Sequence, residues 1–207
     1  MKNRISVILV FILLAVILLG SHAGQAQAAI LTRGGGGRGL VQAEIDGLLY
    51  MREEEKLAHD VYVVLYQRWK LQVFYGISNS ETRHMAAVKN LLDYYGLPDP
   101  AAGKAAGEFT NPVLQSLYNE LVPRGMVSLP EALRVGGAIE EIDIRDLESY
   151  LAVARHTNII NVYNNLIDGS CNHLRAFVSN FENRTGEVYQ PQFLSPEVFQ
   201  AIMNGTY

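Results

Sequence analysis

The chain has 207 residues, of which 49% are hydrophobic and 18% are charged, and its formal net charge is −4. These values predict a globular protein of one domain with short appendages. The acidic balance argues against nucleic acid as a partner, because a protein that binds phosphate backbones needs basic side chains. Cys171 is the only cysteine, so the chain has no internal disulfide and its stability must come from core packing.

The first 28 residues have the pattern of a secretory signal peptide. A basic start, MKNR, precedes the uncharged apolar run ISVILVFILLAVILLG and the small-residue segment SHAGQAQAA. This order predicts cleavage after Ala28 and a secreted, periplasmic or cell-envelope location. An uncleaved N-terminal membrane anchor is the alternative, because the apolar run is intermediate between a signal and a span in length. Cleavage would remove Lys2 and Arg4 and no acid, so the net charge would change from −4 to −6.

Residues 29–40 are predicted to form a flexible linker, because they contain four consecutive glycines and no hydrophobic period. The folded domain is expected over residues 41–207. Its first predicted helix extends from Val41 to about Leu71, since this segment contains no proline and keeps one apolar stripe throughout.

The second predicted helix begins after an N-cap, for which three residues are candidates: Ser78, Asn79 and Ser80. It ends at Gly96, where the sequence Gly-Leu-Pro interrupts the helical pattern. Residues 97–127 then form a long connection that contains one short helix capped by Asn111.

Ser128 and Glu131 have the spacing of a capping box, which predicts a third long helix from Ser128 to about Ala154. Thr157 or Asn158 is expected to cap a fourth long helix. The tail that follows is predicted to be irregular, apart from one short helix that begins after Ser195.

No segment of the domain shows the alternating pattern of a strand. Four long helices, a short link between the third and fourth, and a long link between the second and third predict an all-α fold. Specifically, they predict a four-helix bundle with one crossover and short extra helices, which is the topology of ferritin-like folds.

Each long helix places a metal-ligating side chain on its apolar stripe, because residues three and four apart share a face of a helix. The third helix has two adjacent acids, of which Glu140 shares its stripe with aliphatic residues and Glu141 shares its stripe with charged ones. Glu140 is therefore predicted to point inward. The five inward side chains are Glu55, Glu81, His84, Glu140 and His173. By the same periodicity, Glu53, Glu54 and Lys56 are predicted to be solvated.

Inward carboxylates and imidazoles normally pair, lose their charge or bind a metal, because burying an isolated charge is costly. One such group on each of four facing helices favours a metal site. Carboxylate and imidazole ligands suit iron or manganese, and also zinc, and oxygen-rich bridging favours a pair of ions. A redox-active pair of ions can reduce oxygen or peroxide while it oxidises iron.

Several stretches of the sequence resemble known families. EKLAHDVY (55–62) resembles the first-helix signature of rubrerythrin-type ferritin-like proteins, and ETRH (81–84) matches their second-helix Glu-x-x-His. REEEKLAHDVY, SETRHMAAV, IEEIDIRDL, GSCNHLRAF and YQPQFLS together resemble the bacterial and archaeal family called domain of unknown function 2202, within the ferritin-like superfamily. This resemblance covers about residues 41–200, and it implies the bundle fold and metal binding.

The fourth helix departs from the ferritin-like pattern, which has a second Glu-x-x-His there. Ser170 stands three residues before His173, and Gly169 stands four residues before it. One bridging carboxylate is therefore missing, and the remaining ligands suffice for one ion. A second ion would need further ligands, for which three residues are candidates: His59, Asp143 and Cys171.

The function that these features predict is that of an exported ferritin-like metalloprotein with a di-iron or mixed-metal carboxylate site. Such a protein would be a ferroxidase- or peroxidase-type oxidoreductase in iron oxidation or in the detoxification of peroxide and oxygen. Tyr62, near the predicted ligands, could donate an electron or a proton, although a buried aromatic role is the alternative. The expected partners are metal ions and oxygen or peroxide, with a membrane as partner only if the N-terminal segment is uncleaved.

Two alternatives remain open at this point. The chain could be a non-catalytic helical module of the cell envelope, whose inward groups form a buried polar network or hold a structural ion. Alternatively, the tail QPQFLSPEVFQAIMNG could be an interaction segment, because its aromatic residues look exposed. Assembly into a homo-oligomer is compatible with each of these hypotheses.

Overall fold

The computed structural model describes residues 39–207, which form six helices and, within that range, no strand. The predicted signal peptide and the linker up to residue 38 lie outside the described residues. None of the helices in the described range is both long and apolar enough to cross a membrane. The prediction of an all-α fold is thus confirmed for this part of the chain.

Four of the six helices are long, and we number all six in chain order. They are α1 (Gln42–Trp69), α2 (Gln72–Tyr95), α3 (Pro112–Gly125), α4 (Leu129–Leu151), α5 (Thr157–Thr185) and α6 (Pro196–Asn204). Two residues separate α1 from α2 and five separate α4 from α5, whereas α2 leads to α4 through a long connection that contains α3.

Three helices begin where capping residues predicted that they would. Asn111 caps α3, Ser128 caps α4 and Ser195 caps α6. Each side chain accepts a hydrogen bond from a backbone N–H two or three residues further on, at 2.9, 3.2 and 3.3 Å respectively. The local side-chain chemistry therefore fixes these three boundaries.

The start of α2 was predicted incorrectly, because the helix begins at Gln72 and not near Ser78. The Ser78 hydroxyl donates to the carbonyl oxygen of Tyr75 at 3.0 Å, which is the bond of a serine inside a helix. Phe74 and Ile77 are 0% and 6% exposed. Burial of these two apolar side chains in the core extends the helix beyond its predicted cap.

The start of α5 also differs from its prediction by one or two residues, since His156 and not Thr157 or Asn158 is the N-cap. The carboxylate of Glu44 holds this turn from another helix. It accepts hydrogen bonds from the backbone N–H groups of Arg155 and His156, at 2.7 and 2.9 Å. A distant acid thus takes the role that a local cap was expected to have.

The core lies between the four long helices. α1 packs along α2 and α4 packs along α5, and the two pairs meet through contacts of α1 with α4 and of α2 with α5. The rings of Tyr62, Phe74 and Phe177 form an aromatic layer in this core, with centroids 5.2 to 6.4 Å apart. Three different long helices therefore meet around one aromatic cluster.

Three charged residues of α1 that were predicted to be solvated are buried. Glu53 and Glu54 are each 2% exposed, and Lys56 is 6% exposed. The connection between α2 and α3 covers Glu53 and Lys56. Glu53 accepts hydrogen bonds from two backbone N–H groups of this connection at 2.5 and 2.8 Å, and Lys56 donates to one of its carbonyls at 2.8 Å.

Glu141, predicted to share a charged face of α4, is also buried, at 0% exposure. Its carboxylate accepts hydrogen bonds from the three successive backbone N–H groups of residues 192–194, at 2.6 to 3.1 Å, and from the Tyr189 hydroxyl at 2.8 Å. Phe199 of α6 is only 4% exposed. The tail therefore packs on the helices, and Phe199 does not provide the exposed aromatic surface expected of an interaction segment.

Candidate metal centre

The five side chains predicted to ligate a metal converge between the four long helices. The three carboxylates are each exposed by 2% or less, and the two imidazoles are 12% and 10% exposed. They make up two groups, and the ligating atoms of each group lie within 4.8 Å of one another. The five side chains are Glu55 of α1, Glu81 and His84 of α2, Glu140 of α4 and His173 of α5.

The first group consists of Glu55, Glu81 and His84. The Nδ1 atom of His84 lies 2.8 Å from Oε2 of Glu81 and 3.2 Å from Oε2 of Glu55. Because Glu81 and His84 are three residues apart in one helix, their side chains leave the same face, and a single ion could contact both.

The second group consists of Glu81, Glu140 and His173. The Nδ1 atom of His173 lies 2.9 Å from Oε1 of Glu81 and 3.4 Å from Oε2 of Glu140. Neither contact is aligned as a hydrogen bond, so this buried nitrogen has no such partner within residues 39–207. Ligand atoms that converge without bonding to one another are the arrangement expected around an ion.

Glu81 belongs to both groups through different oxygen atoms. Its Oε2 faces His84 and its Oε1 faces His173, and the two imidazole rings stack with their centroids 5.4 Å apart. A carboxylate that offers one oxygen to each side can bridge two ions. The groups are thus two neighbouring candidate positions for an ion, with Glu81 between them.

Unsatisfied buried atoms show that the residues fit a bound cation. Nearly all buried polar atoms in proteins have a hydrogen-bond partner, so exceptions at one place need an explanation. A cation in contact with these atoms would satisfy them. Among the described residues, the atoms of the five predicted ligands and Asp143 without a hydrogen-bond partner are Glu55 Oε1, Glu81 Oε1, Asp143 Oδ1 and His173 Nδ1.

The protonation of the ligands also favours a cation. Burial raises the pKa of Glu55 to about 8 and raises the pKa of Glu140. Burial lowers the pKa of His84, but hydrogen bonds to Glu55 and Glu81 outweigh it and raise that pKa to about 11. Burial also lowers the pKa of His173, but the negative charges of Glu140 and Glu81 outweigh it and raise that pKa to about 10. These protons are the charges that a divalent cation would replace.

Tyr62 is fully buried and contacts Glu140, one of the five predicted ligands. Its hydroxyl donates a hydrogen bond to Oε1 of Glu140 at 2.6 Å. Burial, together with the charge of Glu140, raises the pKa of the Tyr62 phenol well above its ordinary value. Tyr62 therefore stays protonated and orients Glu140, while its predicted role as a donor of electrons or protons stays a prediction.

Asp143 lies beside the two groups without belonging to either. Burial and the charges of Glu55 and Glu140 raise the pKa of its carboxyl group well above the ordinary value. The Ser170 hydroxyl donates to its Oδ2 at 2.5 Å. Since Oδ1 has no partner in the described chain, Asp143 is the additional candidate ligand that the geometry supports best.

His59 and Cys171, the other two additional candidates, are not part of either group found in the described residues. The Nδ1 atom of His59 contacts Oδ1 of Asp60 at 2.9 Å, and the His59 side chain is 30% exposed. Burial raises the pKa of the Cys171 thiol to about 12. Because the thiolate is the form that binds metals, this cysteine is poorly suited as a ligand.

Glu54 is a buried acid near the site that the sequence did not reveal. In the described part of the chain, neither of its buried carboxylate oxygens has a hydrogen-bond partner. Burial, followed by the charges of Asp146 and Asp143, raises its pKa well above the ordinary value. Glu54 lies off the apolar stripe of α1, so periodicity could not distinguish it from a solvated acid.

Comparisons with known proteins support the resemblance to the family called domain of unknown function 2202. The chain is 47% identical over 167 residues to the uncharacterized protein MJ0754 of Methanocaldococcus jannaschii, covering 81% of this chain and 90% of that protein. It is also similar to the crystal structure of the hypothetical protein MJ0754 from Methanococcus jannaschii, with a TM-score of 0.77 and 47% identity over 80% of this chain and 94% of that chain. Residues 44–206 match the family described as an uncharacterized protein domain, DUF2202, and the chain therefore belongs to this family.

Proposed function

We propose that this protein is a ferritin-like four-helix bundle that binds two iron ions and oxidises ferrous iron while it reduces peroxide or oxygen. The observation that carries the proposal is the position of Glu81. Its two oxygens face two separate sets of ligands, each with a second carboxylate and an imidazole.

The order of the helices supports the ferritin-like part of the proposal. Two pairs of long helices, each joined by a short link, are connected to each other by one long segment through α3. This is the connectivity of a bundle with one crossover. Each long helix also contributes at least one candidate ligand, as in the ferritin-like carboxylate proteins that hold two ions.

The charge of the buried acids supports two ions over one. If all five buried acids at and beside the site were ionised and both imidazoles were neutral, one divalent cation would leave three negative charges for protons to compensate, and two cations would leave one. Because an uncompensated buried charge costs roughly several kcal/mol, a second ion would take the place of the protons that the raised pKa values of Glu54 and Asp143 otherwise retain. The five buried acids at and beside the site are Glu54, Glu55, Glu81, Glu140 and Asp143.

The ligand types support iron as the metal. Carboxylate and imidazole suit iron and manganese and also admit zinc, and the two groups contain no thiolate. Bound ferrous iron would supply two electrons, one from each ion, to hydrogen peroxide, which would take up two protons and yield two water molecules. With dioxygen as the oxidant, the same two electrons and two protons would yield hydrogen peroxide.

The residues around the ions would hold them in a defined and dry environment. Glu55 and Glu140 would each bind one ion, and Glu81 would contact both. Tyr62 fixes the second oxygen of Glu140 by its hydrogen bond, which leaves the other oxygen for the ion.

We also propose that the protein is exported. The basic, apolar and small-residue segments of residues 1–28 are the support for this proposal. In an oxidising compartment the single buried cysteine has no partner to form an internal disulfide, which is compatible with a stability that comes from packing.

The test of this function is peroxide consumption by the iron-loaded protein. The wild type is loaded anaerobically with two equivalents of ferrous iron and titrated with hydrogen peroxide in a stopped-flow instrument. We expect one peroxide consumed for every two irons, and a rate at least about tenfold lower in Glu81→Gln. Glu120→Gln changes an exposed acid of α3 and should behave as the wild type. Oxidation no faster than that of free iron in buffer would overturn the proposal.

A structural metal site is the second candidate, and the depth of the five ligands is the observation that favours it. A protein of this kind would retain its ions and unfold at a lower temperature after chelation, yet show no turnover with iron and peroxide. The same titration, combined with thermal unfolding in the presence of a chelator, separates the two candidates.

A further inference from the structure

Gly169 of α5 lies against the edge of the His84 ring. A Cβ atom at position 169 would be 2.7 Å from both Cε1 and Nε2 of His84. Carbon atoms in van der Waals contact are about 3.5–4.0 Å apart, so this side chain and the ring cannot coexist in their present places.

The His84 ring has little freedom to move away from such a side chain. Its Nδ1 edge faces Glu55 and Glu81 at 3.2 and 2.8 Å, and its face stacks on the ring of His173. The remaining edge, with Cε1 and Nε2, lies next to Gly169. A side chain at position 169 that pushes the His84 ring from this edge would therefore move Nδ1 relative to the carboxylates of Glu55 and Glu81.

We propose that Gly169 is a positioning residue, which keeps His84 in the first ligand group by leaving its ring the space that a side chain would fill. This inference rests on the proposed two-ion site. The imidazole of α2 occupies the space that a side chain at position 169 would need. A larger residue at 169 would disable the position formed by Glu55, Glu81 and His84, and would spare the position formed by Glu81, Glu140 and His173.

The metal test compares Gly169→Ala with Gly76→Ala by equilibrium dialysis against cobalt(II), followed by elemental analysis. Gly76 is a matched control, because it is also a helical glycine. Within the described chain, a Cβ atom there would have no neighbour within 4 Å apart from adjacent residues and the backbone of its own helix. We expect two ions per chain in the wild type and in Gly76→Ala. In Gly169→Ala we expect one ion at full affinity, and about 10–100-fold weaker binding of the other.

A stability test needs no metal and keeps the inference testable if Gly169→Ala binds nothing. In the metal-free wild type, Gly169→Ala should lower Tm, because the new methyl group meets the ring. In a His84→Ala background the ring is gone, and the same substitution should raise Tm by about 2–4 °C, as alanine does at an open helical position. Gly76→Ala should raise Tm by a similar amount in both backgrounds.

Failure of the proposed two-ion function and failure of the inference about Gly169 would give different results. A wild type that binds no cobalt would contradict the proposed two-ion function. Gly169→Ala would still lower Tm when His84 is present and raise Tm in the His84→Ala background. If Gly169→Ala binds two ions as tightly as the wild type, or changes Tm equally with and without His84, Gly169 does not position the ring.

Discussion

The carboxylate of Glu44, at the start of α1, accepts hydrogen bonds from the backbone N–H of His156 at 2.9 Å and contacts its ring Nδ1 at the same distance. A third contact comes from the backbone N–H of Arg155 at 2.7 Å. This one acid therefore joins the beginning of the first helix to the turn between α4 and α5.

The Glu44 contacts predict a loss of stability in acid. Burial raises the pKa of Glu44, but the hydrogen bonds from Arg155 and His156 lower it to about 2, below its ordinary value of 4.5. A carboxyl group with a lowered pKa in the folded state stabilises that state above its unfolded pKa, and this contribution disappears as the pH falls. The Tm difference between wild type and Glu44→Gln should be constant above about pH 4.5 and should shrink towards pH 2.

Glu120→Gln is the control for this experiment, because Glu120 is exposed. Its Tm should follow that of the wild type over the whole pH range. A Tm difference for Glu44→Gln that does not change between pH 5 and pH 2 would show that the charge of Glu44 does not stabilise the turn.

The hydrogen bonds that Glu141 accepts predict that this residue stabilises the packing of the tail on the helices. Removing its carboxylate leaves the N–H groups of residues 192–194 and the Tyr189 hydroxyl without their acceptor. Glu141→Ala should therefore lower the free energy of unfolding by about 2–4 kcal/mol and expose the tail to proteases. Glu187→Ala breaks only an exposed pair with Arg134 and should cost less than about 1 kcal/mol. Urea unfolding and limited proteolysis measure the two effects.

Glu53 and Glu54 are neighbours in sequence for which we predict opposite effects on stability. Glu54→Met replaces a buried acid that lacks a hydrogen-bond partner in the described chain, and should stabilise the metal-free protein by about 1–2 kcal/mol. Glu53→Met removes the acceptor of two backbone N–H groups and should destabilise it by about 2 kcal/mol or more. Urea unfolding in the presence of a chelator gives both values, and a loss of stability in Glu54→Met would refute the interpretation of Glu54.

The hydrogen bond from Tyr62 to Glu140 predicts that Tyr62→Phe weakens metal binding at one of the two proposed ion positions. Tyr62→Phe keeps the ring in the aromatic layer but removes the hydrogen bond to Glu140. We expect about tenfold weaker binding at the position of Glu81, Glu140 and His173, and unchanged binding at the other position.

Tyr163→Phe is the matched control for this substitution. Tyr163 is 1% exposed, and its hydroxyl has no hydrogen-bond partner in the part of the chain that the structure describes. Removing this hydroxyl should leave both metal affinities unchanged. Equal effects of the two substitutions in a cobalt titration would mean that Tyr62 acts only through packing.

The inward ligands could be predicted from the sequence because helical periodicity is a local property. A residue three or four positions from several apolar residues shares their face, and this placed Glu81 and His84 on the inner side of α2. Side-chain caps such as Asn111 and Ser128 are equally local, and the helices begin where these residues predict.

The remaining features depend on segments far apart in the chain, which periodicity does not detect. Glu53 and Lys56 are buried because the connection between α2 and α3 covers them, and Glu141 is buried because the tail covers it. The role of Gly169 is of the same kind, since it depends on how closely α5 approaches the imidazole on α2.

The stoichiometry of metal binding to wild type and Glu81→Gln tests the central claim most directly. Both proteins are dialysed anaerobically against ferrous iron at equal concentration, and bound iron is measured by elemental analysis. Because Glu81 faces both ligand groups, the wild type should bind two ions per chain and Glu81→Gln should bind both at least about tenfold more weakly. A wild type that retains no iron, or a Glu81→Gln variant that binds as much as the wild type, would contradict the account.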